Sequence, residues 1–248
     1  MAREWNGSTY DRIADPMTRW GSVVLDRLPL SGDEAVLDAG CGSGRVTEQL
    51  LERLPDGHVI ALDASASMIA AARERLEASA DRVTFVQADL SQPLPLSPPV
   101  DAIVSTATFH WIPDHDALFR NLAAVLQPGG RLVAQCGGHG NIASVMDVLA
   151  ELAPDAERAW VFAAPEETVA RMEAEGFTDI EAWLHDEPTD IPPADFETYL
   201  TEVILGSHLA TMPEQDRAAF VRAVAERLPG PRLDYVRLNI VATRGPRS

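Results

Sequence analysis

With 248 residues, 46% of them hydrophobic, and a formal charge of −18, the chain has apolar sequence enough for one sizeable core and too many acids to favour a nucleic-acid backbone as partner. All 20 basic residues are arginine, which excludes lysine Schiff-base chemistry and the lysine of a phosphate-binding P-loop. Cys41 and Cys136 belong to no ligand-spaced cluster, which argues against a metal, and no apolar run approaches the roughly 18 to 20 residues of a membrane span. With no apolar h-region after Met1, a cytoplasmic enzyme is expected.

In chain order, residues 8–28 carry an apolar stripe with Tyr10 and Trp20, the pattern of a helical cover. Residues 35–136 alternate short apolar runs with helical patterns, as a doubly wound parallel α/β sheet requires. Strands are expected at 35–39, 58–63, 83–87, 101–105 and 131–136, and helices at 43–54, 65–78 and 116–126, the last stopped by Pro128-Gly129-Gly130. Helices near 141–152 and 166–175 then precede a strand at 178–185. A strand at 233–243 closes the chain and is expected to pair antiparallel with it at a sheet edge. Between these strands, residues 188–231 hold two helical patterns, 195–205 and 214–228, set off by Pro192-Pro193, Pro213 and Pro229. So long a connection in a compact domain is expected to be a lid. The organisation is thus a cover at 1–28, a core at 29–187, a helical lid insertion at 188–231, and a last strand and tail at 232–248.

The segment Val36-Leu37-Asp38-Ala39-Gly40-Cys41-Gly42-Ser43-Gly44 runs from a strand through glycines into a helix. Glycines let the backbone turn and approach a ligand, and the helix N-terminus favours negative groups, so a nucleotide-like occupant is expected. The dinucleotide fingerprint needs a third glycine at position 45, which is Arg45, and this weakens an NAD-dependent oxidoreductase. The next strand ends at Asp63, 23 residues beyond Gly40, where nucleotide-binding sheets place an acid for ribose hydroxyls. Met68 stands in the following helix where it can pack on a base, or in ordinary core. Asp89 ends the third strand as an acceptor for an adenine amino group, or caps a turn. Cys41, Ala64, Ala88, Leu90 and Thr106 flank these positions and are expected to line the same crevice.

This ordered series resembles the class I S-adenosylmethionine (SAM)-dependent methyltransferases over about residues 30–136. Trp5-Asn6-Gly7-Ser8, Tyr10, the run from Ala107 through Phe109-His110-Trp111-Ile112-Pro113-Asp114 to His115, and Leu238-Asn239-Ile240-Val241-Ala242-Thr243-Arg244 look like the trans-aconitate methyltransferase subgroup. The resemblance implies a mostly parallel seven-stranded Rossmann-like sheet with SAM as cofactor. It implies that Tyr10 contacts the methionine end of SAM and that residues 105–111 line the methyl-transfer site. The function expected is O-methylation of a small carboxylic acid. A quinone, phenolic or terpenoid methyltransferase is the alternative, and a non-catalytic SAM-binding protein the outlier.

His110 is the candidate catalytic residue, while Asp114 and His115 read as helix caps. Trp20, Trp111, Gln135, His139, Trp160, Tyr199 and His208 are the candidate acceptor-binding residues. Residues 147–202 hold 16 acids against two arginines, a local balance of −14, which favours an acceptor with at most one carboxylate. The acidic second half offers few arginines, Arg158, Arg171, Arg217, Arg222, Arg227, Arg232 and Arg237, several at helix-surface spacing, while Arg12, Arg19 and Arg45 are expected near the cofactor crevice. The partner is a small molecule, without nucleic acid or membrane, and the oligomeric state is open.

Overall fold

A computed structural model describes residues 15–156 and 160–246, with side chains from Trp20 onward. The chain opens on α1 (Asp15–Leu25), followed by β1 (Ala35–Ala39), α2 (Arg45–Arg53), β2 (His58–Asp63), α3 (Ala66–Arg75), β3 (Val83–Gln87), β4 (Val100–Thr106), α4 (His115–Val125) and β5 (Leu126–Gly137). Next come α5 (Ala143–Leu152), α6 (Pro165–Ala174) and β6 (Phe177–Asp186). A connection containing β7 (Thr189–Asp190), α7 (Phe196–Tyr199), α8 (Gly206–Ala210), α9 (Glu214–Arg227) and β8 (Arg232–Leu233) leads to β9 (Val236–Arg244).

The seven-stranded sheet has the order β3-β2-β1-β4-β5-β9-β6, parallel except for β9, which runs antiparallel to both β5 and β6. Strand alternation feeds two layers. Val36, Val59, Ala61, Val104 and Val133 pack against Val24 and Leu25 of α1, Val46 and Leu50 of α2 and Ile69 of α3. On the other face Leu37, Leu62, Ile103, Leu132 and Ala134 meet Leu118, Phe119 and Leu122 of α4 and Met172 of α6. With both faces covered, the central strands read as continuous apolar runs.

Local caps set the strand-to-helix turns at the carboxyl ends. Ser65 accepts the Met68 N–H at the start of α3, and Asp114 accepts the Ala117 N–H at 2.9 Å at the start of α4. His115 is no cap: it is buried, with Nε2 bonded to the Phe109 carbonyl at 3.0 Å.

The expected closing strand at 233–243 is in fact two elements. Residues Arg232–Leu233 pair with Thr189–Asp190 in a separate two-stranded ribbon, and only from Val236 does the chain enter the main sheet. The helical pattern at 195–205 is likewise broken: Pro193–Asp195 forms a 3₁₀ turn, α7 has one turn, and Leu200–Ile204 winds as a π-helix. As expected, the last two strands of the main sheet pair antiparallel at its edge, with β6 outermost and β9 between it and β5. Residues of the 188–231 connection form a second core, in which Phe196, Tyr199, Leu200, Leu205, Val221 and Val224 pack with Val145 and Leu149 of α5 and with Trp20 and Trp160.

Candidate active site

Hydrogen bonds tie the carboxyl ends of β1, β2, β3 and β4 side by side. Asp38 is fully buried in β1, and its Oδ2 accepts the Thr47 hydroxyl at 2.6 Å, while its Oδ1 has no hydrogen-bond partner among the described residues. Burial raises its carboxyl to about 7; the Thr47 bond opposes this and the charge of Asp63 adds to it. A buried carboxylate oxygen without a partner at the mouth of a glycine loop fits a cationic ligand group.

The loop after β1 turns through the left-handed region at Gly40, Gly42 and Gly44 (φ +87°, +53° and +85°). The three glycines do different things. A Cβ on Gly40 would stand 2.2 Å from the Thr108 hydroxyl oxygen, so this glycine lets the β4 loop close on the β1 loop. At Gly42 nothing lies within 4 Å of such a Cβ, so that glycine's open side is available to a ligand. Gly44 is the N-cap of α2. Gly40 and Cys41 donate to the Leu62 carbonyl at 2.8 and 2.9 Å, docking the loop against the end of β2.

Asp63 does double duty in that turn: its Oδ2 accepts the Gly42 N–H and its Oδ1 the Ser65 N–H, each at 2.9 Å. Ala88 donates to the Asp63 carbonyl and Gln87 to the Ala64 carbonyl, which brings the end of β3 beside that of β2. Met68 is buried. Asp89 caps a turn by accepting the N–H and hydroxyl of Ser91, and the Leu90 side chain enters the core while its carbonyl accepts from Asn121.

Past β4, Thr106 accepts the Thr108 hydroxyl and Ala107 takes φ +55°, a left-handed backbone rare for a residue other than glycine. The following turn buries His110, whose Nδ1 accepts the Gly137 N–H at 3.2 Å. The neutral ring therefore carries its proton on Nε2. Burial, then the charge of Arg237, then His115 hold its pKa well below the ordinary value. His110 is thus a neutral hydrogen-bond donor; its only lone pair is already engaged.

Around His110 stand Trp111 and Phe162, with ring centroids 5.2 and 6.0 Å away; Trp160 stacks on Phe162 and contacts Trp111 and His208. Trp20 packs edge-on to Tyr235, whose hydroxyl bonds that of Tyr199 at 2.8 Å. Gln135 is buried and donates to Asn239. The sequence-selected Trp20, Trp111, Trp160, Tyr199 and His208 thus join one aromatic assembly, whereas His139 is exposed and only its backbone is tied, to Ala163. Tyr10, Arg12 and Arg158, and the side chain of Arg19, lie outside the described residues.

Residue reasoning missed Thr47, Phe162 and Tyr235, and gave Arg237 no role. The arginine is fully buried, with its guanidinium 4.3 Å from the Trp20 ring centroid. A signal was present: Arg237 and Asn239 alternate with Leu238, Ile240 and Ala242, but a polar alternate face reads as solvent-facing unless the strand is known to be interior.

A methyltransferase domain family model matches residues 36–130. A trans-aconitate 2-methyltransferase of Acidovorax sp. (strain JS42) is 31% identical, over 98% of this chain and 99% of that protein. One of Methylobacterium nodulans is 36% identical over 73% of this chain and 67% of that protein, and further relatives of that name match over about half their length. Among solved structures, phosphoethanolamine N-methyltransferase 2 of Haemonchus contortus, in complex with S-adenosyl-L-methionine, superposes with a TM-score of 0.64 at 21% identity, covering 97% of this chain and 57% of that one.

Proposed function

Because the chain belongs to the class I SAM-dependent methyltransferases, in their trans-aconitate methyltransferase-like subgroup, we propose that it methylates a carboxylate oxygen of a small organic acid. The observation that carries this reading is the engaged Nδ1 of His110, which leaves this histidine a hydrogen-bond donor and not a base. A carboxylate is already a nucleophile at neutral pH, whereas a phenol or an enolisable carbon needs its proton removed.

SAM, when bound, supplies a methyl group on a sulfonium that is displaced in line. The Asp38 carboxylate and the open side of Gly42 fit its positive charge and close backbone approach. Asp63 would accept from the ribose hydroxyls, with Met68, Ala88, Asp89 and Leu90 about the adenine, and with Tyr10, Cys41, Ala64 and Thr106 completing the cofactor wall. On the acceptor side, His110 Nε2–H and Trp111 would orient the acid, and Trp20, Gln135, Trp160, Tyr199 and His208 would shape its enclosure. Aromatic walls exclude water and hold the reacting oxygen in line, which is most of what this reaction asks of a protein.

The test is incubation with deuteromethyl SAM and a panel of small acids, phenols and quinones, read by mass spectrometry before and after mild alkali. Label that alkali removes is a methyl ester and supports the proposal. Alkali-stable label on a phenol or carbon acceptor overturns it.

A further inference from the structure

At the carboxyl end of β5, Gln135 is buried with one half of its amide engaged and the other half not. It pairs with Thr106 of β4 and Asn239 of β9, so the three side chains share one sheet face, two residues beyond Val104 and Val133, which pack under α1. Nε2 donates to Asn239 Oδ1 at 3.0 Å, while Oε1 has no hydrogen-bond partner among the described residues. Thr106 is only half-buried, which brings the accessible surface to the residue next to this oxygen.

Which half of the amide is left over is dictated by its neighbours. Asn239 is fully buried, and its Oδ1 also accepts from the Arg27 guanidinium, a group that can only donate. Its Nδ2 donates to His185 Nδ1 at 2.8 Å and to the Arg237 carbonyl at 3.2 Å, a group that can only accept. Asn239 is thus locked from both ends, and its oxygen demands the N–H side of Gln135. What remains is a fixed, buried amide oxygen, and leaving such an acceptor unmatched costs about 1 to 3 kcal/mol.

Its partner must therefore donate a proton. A carboxylate only accepts and is excluded at this point. An ammonium is disfavoured because Arg237 stands on the same face, one residue pair further along β5 and β9, and its positive charge is felt at His110. A hydroxyl remains. Trp20 of α1, which lies against Arg237, holds a buried indole N–H with no hydrogen-bond partner among the described residues, and a hydroxyl can accept from one group while it donates to another.

We propose that Gln135 Oε1 accepts a hydroxyl of the methyl acceptor, in an orientation set by Asn239, so that the enzyme prefers hydroxy acids to their oxo and unsubstituted counterparts. The inference rests on the methyl-ester reading above: the carboxylate is methylated and the hydroxyl is the group by which the acid is recognised. An oxo group fails because its lone pairs face those of the amide oxygen, and a methylene fails because it leaves that oxygen unmatched.

The experiment offers two skeletons in three forms each: 2-hydroxyglutarate, 2-oxoglutarate and glutarate, and 3-hydroxybutyrate, acetoacetate and butyrate. In the wild type kcat/KM for the hydroxy form should exceed that for the oxo form by about 10-fold or more in at least one set. In Gln135→Met, which keeps the length of the side chain and removes the oxygen, that ratio should fall to within about threefold while calorimetry shows SAM still bound. In Asn239→Leu the Gln135 amide loses the oxygen that orients it, and the oxo form should gain, mainly through KM, because the freed amide can turn its Nε2–H outward. A general loss of structure would lower all three forms together and leave their order unchanged. Should Gln135→Met fail to fold, the wild-type ratios and Asn239→Leu decide. Three results overturn the inference and leave the methyl-ester reading standing: no preference for the hydroxy form in either set, a preference that survives Gln135→Met, or SAM affinity lost in Gln135→Met together with turnover. An oxo form that gains nothing in Asn239→Leu overturns the orienting role of Asn239. No acid methylated by the wild type overturns both readings.

Discussion

Asp38 and Asp63 both stand at the carboxyl ends of adjacent strands, yet their environments give them different tests. The folded Asp38 carboxyl, at about 7, lies above its ordinary 3.8, so between those values the folded chain holds a proton that the unfolded chain lacks. Its contribution to stability therefore falls as pH rises through that window. A cation placed beside it expels the proton, so SAM binding below pH 7 should release one proton and tighten about tenfold from pH 6 to pH 8. Calorimetry in buffers of different ionisation heat measures this; the pH dependence should vanish in Asp38→Asn, and its persistence there would assign it elsewhere. Asp63→Ala removes a charged acceptor from the ligand and from two loop N–H groups at once. The expected loss of SAM affinity is roughly 1.5 to 3 kcal/mol, with some loss of thermal stability. A folded variant with wild-type affinity would take Asp63 out of the cofactor site. Both acids were legible because each ends an apolar run. The engaged Nδ1 of His110 was not, since its partner Gly137 is 27 residues away in sequence.

Among the elements, β1 to β5 and α2 to α4 follow their apolar periodicity closely because each meets the sheet along one simple face. The 188–231 connection does not, because its short helices answer to the second core they share with α5, Trp20 and Trp160 rather than to one face. A π-helix at Leu200–Ile204 is a wider, under-wound turn of the kind frequent at functional sites, and His208 beyond it touches Trp160 of the aromatic wall. The connection is tied at its base by the β7–β8 ribbon alone among regular strand pairs. On this basis residues 200–210 are expected to open and close over the acceptor. Amide exchange there and in α1 should slow several-fold when S-adenosylhomocysteine and an acid are bound together. Unchanged exchange in both segments would mean that the cover is rigid.

For the whole molecule the charge of −18 is a self-repulsion that salt screens. Raising sodium chloride from 20 to 500 mM should increase the melting temperature by about 2 to 4 °C, the shift expected for roughly 1 kcal/mol in a chain of this length. Scanning calorimetry checks it, and a decrease would show that attractive surface pairs such as Arg53–Asp26 outweigh the net repulsion. The sequence alone determined the doubly wound core, the glycine turn and the acids at successive strand ends, because each is written in local periodicity and in the spacing of neighbouring elements. Only the tertiary structure decided that β9 is interior, that His110 is held as a donor, and that Arg237 lies buried under Trp20 beside the acceptor wall. Those facts depend on which strands become neighbours across a hundred residues of chain, and a side chain's charge state follows from the neighbours it is buried among rather than from the residues beside it in sequence.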